Sequence, residues 1–144
     1  MLELPITLLD GALPLPAYAR PGDAGLDLLA REDTLLAAGG GRALVPTGVA
    51  VAIPQGYAGF VQPRSGLALR HGVTVLNSPG LIDAGYRAEV QVILLNSDPA
   101  TDYAVHRGDR IAQLVVHRVE SVALVPIQAL EGENRGWGFG HTGR

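Results

Sequence analysis

A chain of 144 residues, 47% hydrophobic and 17% charged, has the make-up of one water-soluble domain with a core of its own. Its 11 basic and 14 acidic residues are interspersed and sum to −3, which excludes the basic footprint of a duplex-binding surface, and the absence of cysteine excludes disulfide frameworks and thiolate metal sites. No apolar run approaches the roughly 18 residues of a membrane span, and the opening MLELPITLLDG lacks a basic start and is broken by Glu3, Pro5 and Asp10, so it does not read as a signal peptide; a cytoplasmic protein is expected.

Short β-compatible runs follow one another: ITLL, LDLLA, RALVP, GVAVAIP, GFVQP, GVTVLN, AEVQVILLN, RIAQLVVHRV and ALVPIQ, each bounded by Gly, Pro, Asn, Asp or Ser. With 19 glycines and ten prolines as punctuation, the pattern is all-β. In GVAVAIP both alternating sets, Val49/Val51/Ile53 and Ala50/Ala52, are apolar, and AEVQVILL loses its polar alternation toward its end, so both strands are expected to be covered on two faces. In so small a domain that surplus predicts association of several copies. SGLALRHG is the one helix candidate, with Ser65 to cap it, Leu67, Ala68 and Leu69 as its apolar side and Gly72 to stop it. The last fourteen residues, EGENRGWGFGHTGR, hold five glycines, two aromatics and no aliphatic side chain. Residues 1–130 therefore read as the core domain and 131–144 as a Gly-rich arm that cannot build a core alone.

Five stretches carry groups able to do chemistry. PGDAGLDLLA sets Asp23 and Asp27 around a glycine turn, either as turn formers or as a carboxylate facing an anion through a divalent cation or its water. In QPRSGLA, Pro63 fixes the entry while Arg64, Ser65 and Gly66 offer a forked cation, a hydroxyl and free amides, which is a phosphate cradle or an ordinary strand-to-helix turn. NSPGLIDAGYRAEV places Asn77 and Asp83 about a Pro-Gly bend, and Asp83 is either a hairpin-turn residue or a base presented by that turn, with Tyr86 closing the hairpin. HRGDRIAQLVV puts the amide of Gln113 inside an apolar strand, where it needs partners, while Asp109 and Arg110 can pair with each other. RGWGFGHTG alternates glycine with Arg135, Trp137, Phe139, His141 and Thr142, a composition suited to amides on a polyphosphate and an aromatic on a base. Ordering such a segment costs about 1–2 kcal/mol per residue in backbone entropy, so its closure is expected only on a highly charged ligand.

In this order, AGLDL, PRSGLA, GLIDAGYR, GDRIAQL and RGWGFGHTG resemble motifs one to five of the trimeric dUTPase family, the dUTP diphosphatases, along nearly the whole chain. The resemblance implies an all-β fold, a β-clip or distorted jelly-roll barrel with one short helix, forming a homotrimer with sites at the subunit interfaces. It implies hydrolysis of dUTP to dUMP and pyrophosphate, which limits uracil incorporation into DNA and supplies dUMP for dTMP synthesis, with neither nucleic acid nor membrane as partner. By the same resemblance Asp83 would be the general base, directing a water in line at the α-phosphorus. A magnesium ion (Mg2+) would ride on the triphosphate with Asp27 holding it through water, and Arg64, Ser65, Gly66 and Gln113 would grip the phosphates. Asn77, Gly80, Leu81, Ile82 and Gln91 would line the uracil, Tyr86 would pack beneath the deoxyribose, and the arm would close with Arg135, Phe139, Gly140, His141 and Thr142. The chain departs from the family pattern in a fifth motif one glycine shorter and in Ala88, where the third motif commonly has glycine. The related dCTP deaminases imply a catalytic glutamate where this chain has Ile93 and favour phenylalanine at Tyr86. A non-enzymatic nucleotide sensor would lack the base or the arm, and both sequences are present.

Overall fold

The computed structural model describes residues 2–132, and strands dominate it: β1 (Ile6–Leu8), β2 (Leu26–Leu29), β3 (Thr34–Leu36), β4 (Arg42–Val51), β5 (Tyr57–Gln62), β6 (Val73–Val75), β7 (Gly80–Ile82), β8 (Glu89–Asn96), β9 (Tyr103–Val105) and β10 (Arg110–Arg118), with one helix, α1 (Ser65–His71). One sheet has the order β1-β4-β8-β6 and another β2-β10-β5-β7, while β3 pairs with β9. Every pairing is antiparallel. The core is shared between the sheets: Val45, Val90, Val92 and Leu94 from one meet Leu28, Val61, Ile111 and Leu114 from the other in one buried cluster. Each such side chain contributes about 1.5–3 kcal/mol when fully removed from water. Among the described residues no helix is long and apolar enough to cross a membrane.

Several expectations change in detail. RALVP and GVAVAIP form the single ten-residue strand β4. Its ladder with β8 breaks register between Pro46 and Ala50, where proline has no N–H to donate and Gly48 takes φ +74°. The second face of these strands is only half covered within the chain: Val49, Val51 and Ile53 are buried, whereas Ala50, Ala52, Ile93 and Leu95 are half-buried. Helix α1 begins one residue earlier than a serine cap requires, because the chain leaves β5 extended only through Arg64 (φ −96°, ψ 124°). Arg64 is thus the N-cap, no side chain caps the first turn, and Ser65 is the first helical residue. Gly72 ends the helix in the left-handed conformation as expected, φ 64°.

ALVPIQ, expected as a strand, is not one. Residues 119–132 hold no strand or helix, and Val122, Leu124, Val125, Ile127 and Leu130 are between 60% and 92% exposed. A strand needs a ladder, and the described residues offer this segment none. The 77–91 hairpin is also corrected: its arms join different sheets, β7 pairing with β5 and β8 with β4 and β6. The proposed 131–144 arm falls outside the described residues from position 133 onward.

Candidate active site

Two clusters of the expected residues form, one on the sheet β2-β10-β5-β7 and the other where β7 of that sheet parts from β8 of the other sheet. In the first, Asp27 on β2, Gln113 on β10 and Gln62 on β5 stand in register across three neighbouring strands. Arg64 follows Gln62 by two residues, its Nε 3.6 Å from Asp27 Oδ1, and Arg110 Nη1 approaches Asp27 Oδ2 at 3.4 Å. Arg64 Nη1 also donates to the Arg110 carbonyl at 2.9 Å, so one guanidinium joins the start of the helix to β10. Ser65 is exposed beside it, and Gly66 is half-buried. A Cβ on Gly25 would lie 2.6 Å from Gln113 Oε1 and 2.9 Å from Gln113 Cβ, so the glycine before Asp27 lets the amide run past. The sequence singled out Asp27 and Gln113 separately; their strands make them neighbours. The expected Asp109–Arg110 pair does not form, since Arg110 turns to Asp27 and Asp109 lies 3.7 Å from His106.

The second cluster is a cleft of ≈ 150 Å³ where the arms of 77–91 part, lined by Asn77, Gly80, Leu81, Ile82, Tyr86 and Gln91 together with buried valines. It is smaller than the roughly 300–1,000 Å³ of drug-sized sites and matches a single ring. Ladder β6–β8 covers only Leu94–Asn96, with one further bond from Leu76 N–H to the Ile93 carbonyl at 2.8 Å. On the opposite wall, among the described residues, β7 pairs only with β5. The inner edges of Gly80–Ile82 and Val90–Val92 therefore face the cleft without ladder partners, and edge amides and carbonyls of this kind can read a hydrogen-bonding ligand. Asn77 reaches this edge because Gly80 has no side chain: a Cβ there would meet Asn77 Nδ2 at 3.3 Å.

Asp83 directly follows β7 and is exposed, its carboxylate free of ion pairs among the described residues. Its carbonyl accepts the Tyr86 N–H at 3.0 Å, so it is also a turn residue. Arg87 stitches the turn by donating to the carbonyls of Ala84 at 2.5 Å and Tyr86 at 2.7 Å. The Tyr86 hydroxyl donates to the Glu89 carbonyl at 2.7 Å.

Within one chain the two clusters do not meet at Asp83. Strand β7 runs antiparallel to β5 with Gly80 opposite Val61 and Ile82 opposite Gly59, so Asp83 emerges at the Tyr57 end while Arg64 follows the Gln62 end. At about 3.3 Å per residue, Gly59 to Gln62 alone separates them by roughly 10 Å. Between them, on the same sheet face as Asp27, Gln113 and Gln62, runs the apolar row Val115, Phe60 and Leu81. Leu81 is 60% exposed. Arg135, Phe139, Gly140, His141 and Thr142 lie outside the described residues. The valine walls, Val61, Val75, Val90 and Val92, carry no chemical signal in the sequence; only the parting of the strands marks them.

A family model described as dUTPase matches residues 12–143. A deoxyuridine 5'-triphosphate nucleotidohydrolase of Thermobifida fusca is 58% identical over 143 residues, covering 99% of this chain and 79% of that protein. The enzyme of the same name from Mycobacterium tuberculosis is 59% identical over 128 residues, covering 89% and 82%. Among solved structures, a dUTPase of Staphylococcus bacteriophage 80alpha with dUpNHpp aligns at TM-score 0.89 and 25% identity, covering 98% of both chains. A dUTPase from phage phi11 of Staphylococcus aureus, in which a structural Mg(II) ion is coordinated, aligns at TM-score 0.82 and 26% identity, covering 90% of this chain and 99% of that one. With its motif residues gathered in these two clusters and this match over nearly its full length, the chain belongs to the dUTPase family.

Proposed function

We propose that the protein hydrolyses dUTP to dUMP and pyrophosphate in a homotrimer whose sites each combine the Asp83 cleft of one chain with the Arg64–Asp27–Gln113 cluster of another. The observation that carries this reading is the separation of the two clusters along β5 by an apolar row in which Leu81 is exposed and Phe60 and Val115 are half-buried. A second copy laid over that row covers it and brings a second set of polar groups toward Asp83. The exposed apolar stretch Val122–Leu130, with no ladder among the described residues, gives further support to association.

In that site the base enters the cleft, where unpaired strand edges meet its polar rim. A C=O on such an edge accepts uracil N3–H and meets only the lone pair of cytosine N3, so one base is rejected by an unmade hydrogen bond. Tyr86 packs under the sugar and leaves no space for a 2′-hydroxyl. Arg64, with the Ser65 hydroxyl, the Gly66 amide and the Gln113 side chain, binds phosphate oxygens; its present contact with Asp27 is long, so it can turn to a stronger anion. Asp83, exposed and unpaired among the described residues, would hold a water and take its proton as oxygen attacks the α-phosphorus and pyrophosphate leaves.

Magnesium fits the donor set in one way. Among the described residues no three His, Cys, Asp or Glu side chains group to hold an ion, so its ligands would be substrate oxygens and water, and Asp27 would hold the ion through one of those waters. Bound so, the ion reduces the repulsion between polyanion and nucleophile.

Asp83→Asn, which keeps size and turn but not basicity, is expected to reduce pyrophosphate release from dUTP with magnesium by about 10²–10⁴-fold, while a non-hydrolysable analogue still binds. Turnover within a few-fold of the unaltered protein would sink the mechanism. Ammonia rather than pyrophosphate as product would favour deamination.

A further inference from the structure

We infer that Glu89 is a positioning residue for substrate selection: seated by the β4 irregularity and Arg31, it holds the carbonyl that fixes the Tyr86 ring at the cleft. The inference rests on the reading of Tyr86 as the sugar-packing residue.

Tyr86 sits in a turn whose residues 85–88 are exposed, and its own side chain has little packing to aim it, being 40% exposed. The hydroxyl bond to the Glu89 carbonyl, 2.7 Å, is what ties the far end of the ring. The direction of the ring is then only as well defined as that carbonyl. Glu89 is the first residue of β8, where a strand end would ordinarily fray, yet this one is held from three sides.

The register of β4 against β8 steps from Pro46–Gln91 to Ala50–Glu89, so two more residues are spent on β4 than on β8. Those residues reach across to the start of β8. Thr47 Oγ1, buried, donates to the Val90 carbonyl at 2.6 Å, and the Gly48 N–H donates to Glu89 Oε1 at 2.8 Å. Arg31 Nη1 lies 3.4 and 3.3 Å from the two Glu89 oxygens, while Asp10 and the Leu9 carbonyl hold the rest of that guanidinium at 3.6 and 3.3 Å. The Glu89 side chain is 18% exposed, and a charged acceptor this enclosed makes stronger bonds than one in water. Gly48 cannot be exchanged cheaply: its φ is +74° and a Cβ would stand 3.1 Å from Asp10 Cβ. One residue thus spends its carboxylate on being anchored and its carbonyl on anchoring Tyr86.

The test is the ratio of kcat/KM for dUTP to that for UTP in the full-length protein with magnesium. Tyr86→Phe, which keeps the ring and removes the hydroxyl, and Glu89→Ala are each expected to lower the ratio about five- to tenfold, mainly through a higher KM for dUTP. The double variant should fall no further than the larger single one, because both break the same link. A core substitution, Leu36→Ala, chosen to lower thermal stability without touching the cleft, should leave the ratio unchanged. If Glu89→Ala does not fold, Arg31→Met carries the test with a smaller drop expected. A ratio unchanged in the Glu89 or Arg31 variant, or effects that multiply in the double, would overturn the inference. Tyr86→Ala separates the two levels. A collapsed ratio there with an intact ratio in Glu89→Ala refutes only the positioning role, whereas an unchanged ratio in Tyr86→Ala removes the sugar assignment and the inference with it.

Discussion

Gly25 and Asp83 show what single positions contribute. Gly25 touches no ligand in any reading, yet a methyl group there would overlap Gln113 at both Oε1 and Cβ. Gly25→Ala is therefore expected to cost about 1–3 kcal/mol of stability, read by urea unfolding, and to lower kcat/KM about tenfold by displacing the Gln113 amide; unchanged kinetics would show that Gln113 has no part in catalysis. Asp83 was legible as a turn residue from DAGY, and the Tyr86 N–H bond to its carbonyl bears that out. Nothing in the flanking residues reveals Glu89 as a seated carboxylate, since its partners Arg31 and Gly48 are 58 and 41 positions away.

Among the elements, the long strands β8 and β10 were visible because alternation or a sustained apolar run survives over eight or more residues, whereas β4 read as two shorter runs, RALVP and GVAVAIP. The three-residue strands β3, β7 and β9 are too short to display a period and exist only because a partner lies beside them. ALVPIQ failed in the opposite sense, with strand-like composition and no partner among the described residues. The N-terminal segment is tied to the two-sheet body by Asp10, which receives Arg107 Nη1 at 2.5 Å and Nη2 at 3.0 Å. The Arg107 guanidinium and then the Ala12 N–H hold its carboxyl down at about 2. An unfolded aspartate titrates near 3.8. The folded form is therefore the weaker proton binder, and this contribution to stability is complete above about pH 4 and lost as pH falls toward 2. Asp98, lowered by the Ala100 and Thr101 N–H groups, acts in the same direction, so the measurement is a difference. Between pH 4 and 2 the thermal midpoint should fall more steeply for the unaltered protein than for Asp10→Asn; parallel profiles would show that the Asp10 clasp does not form in solution.

For the molecule as a whole, the separation of Asp83 from Arg64 makes a prediction that no one-chain site shares. Arg64→Ala and Asp83→Asn should each be nearly inactive, yet co-expressed in equal amounts they should recover about one quarter of the unaltered activity, because a randomly assembled interface joins the intact half of each in one case out of four. Recovery near zero, with mixed oligomers confirmed by mass, would mean that each chain completes its own site. The all-β class, the glycine and proline punctuation and the identity of the motif residues followed from the sequence by itself, because strand period, positive φ and side-chain chemistry are local properties. That the arms of 77–91 part into two sheets, opening a cleft between unpaired edges, was decided only in three dimensions. So was the placing of Asp83 and Arg64 toward opposite ends of β5: which strands pair is settled by competition among distant segments for the same core, and nothing in the spacing of one segment records its outcome.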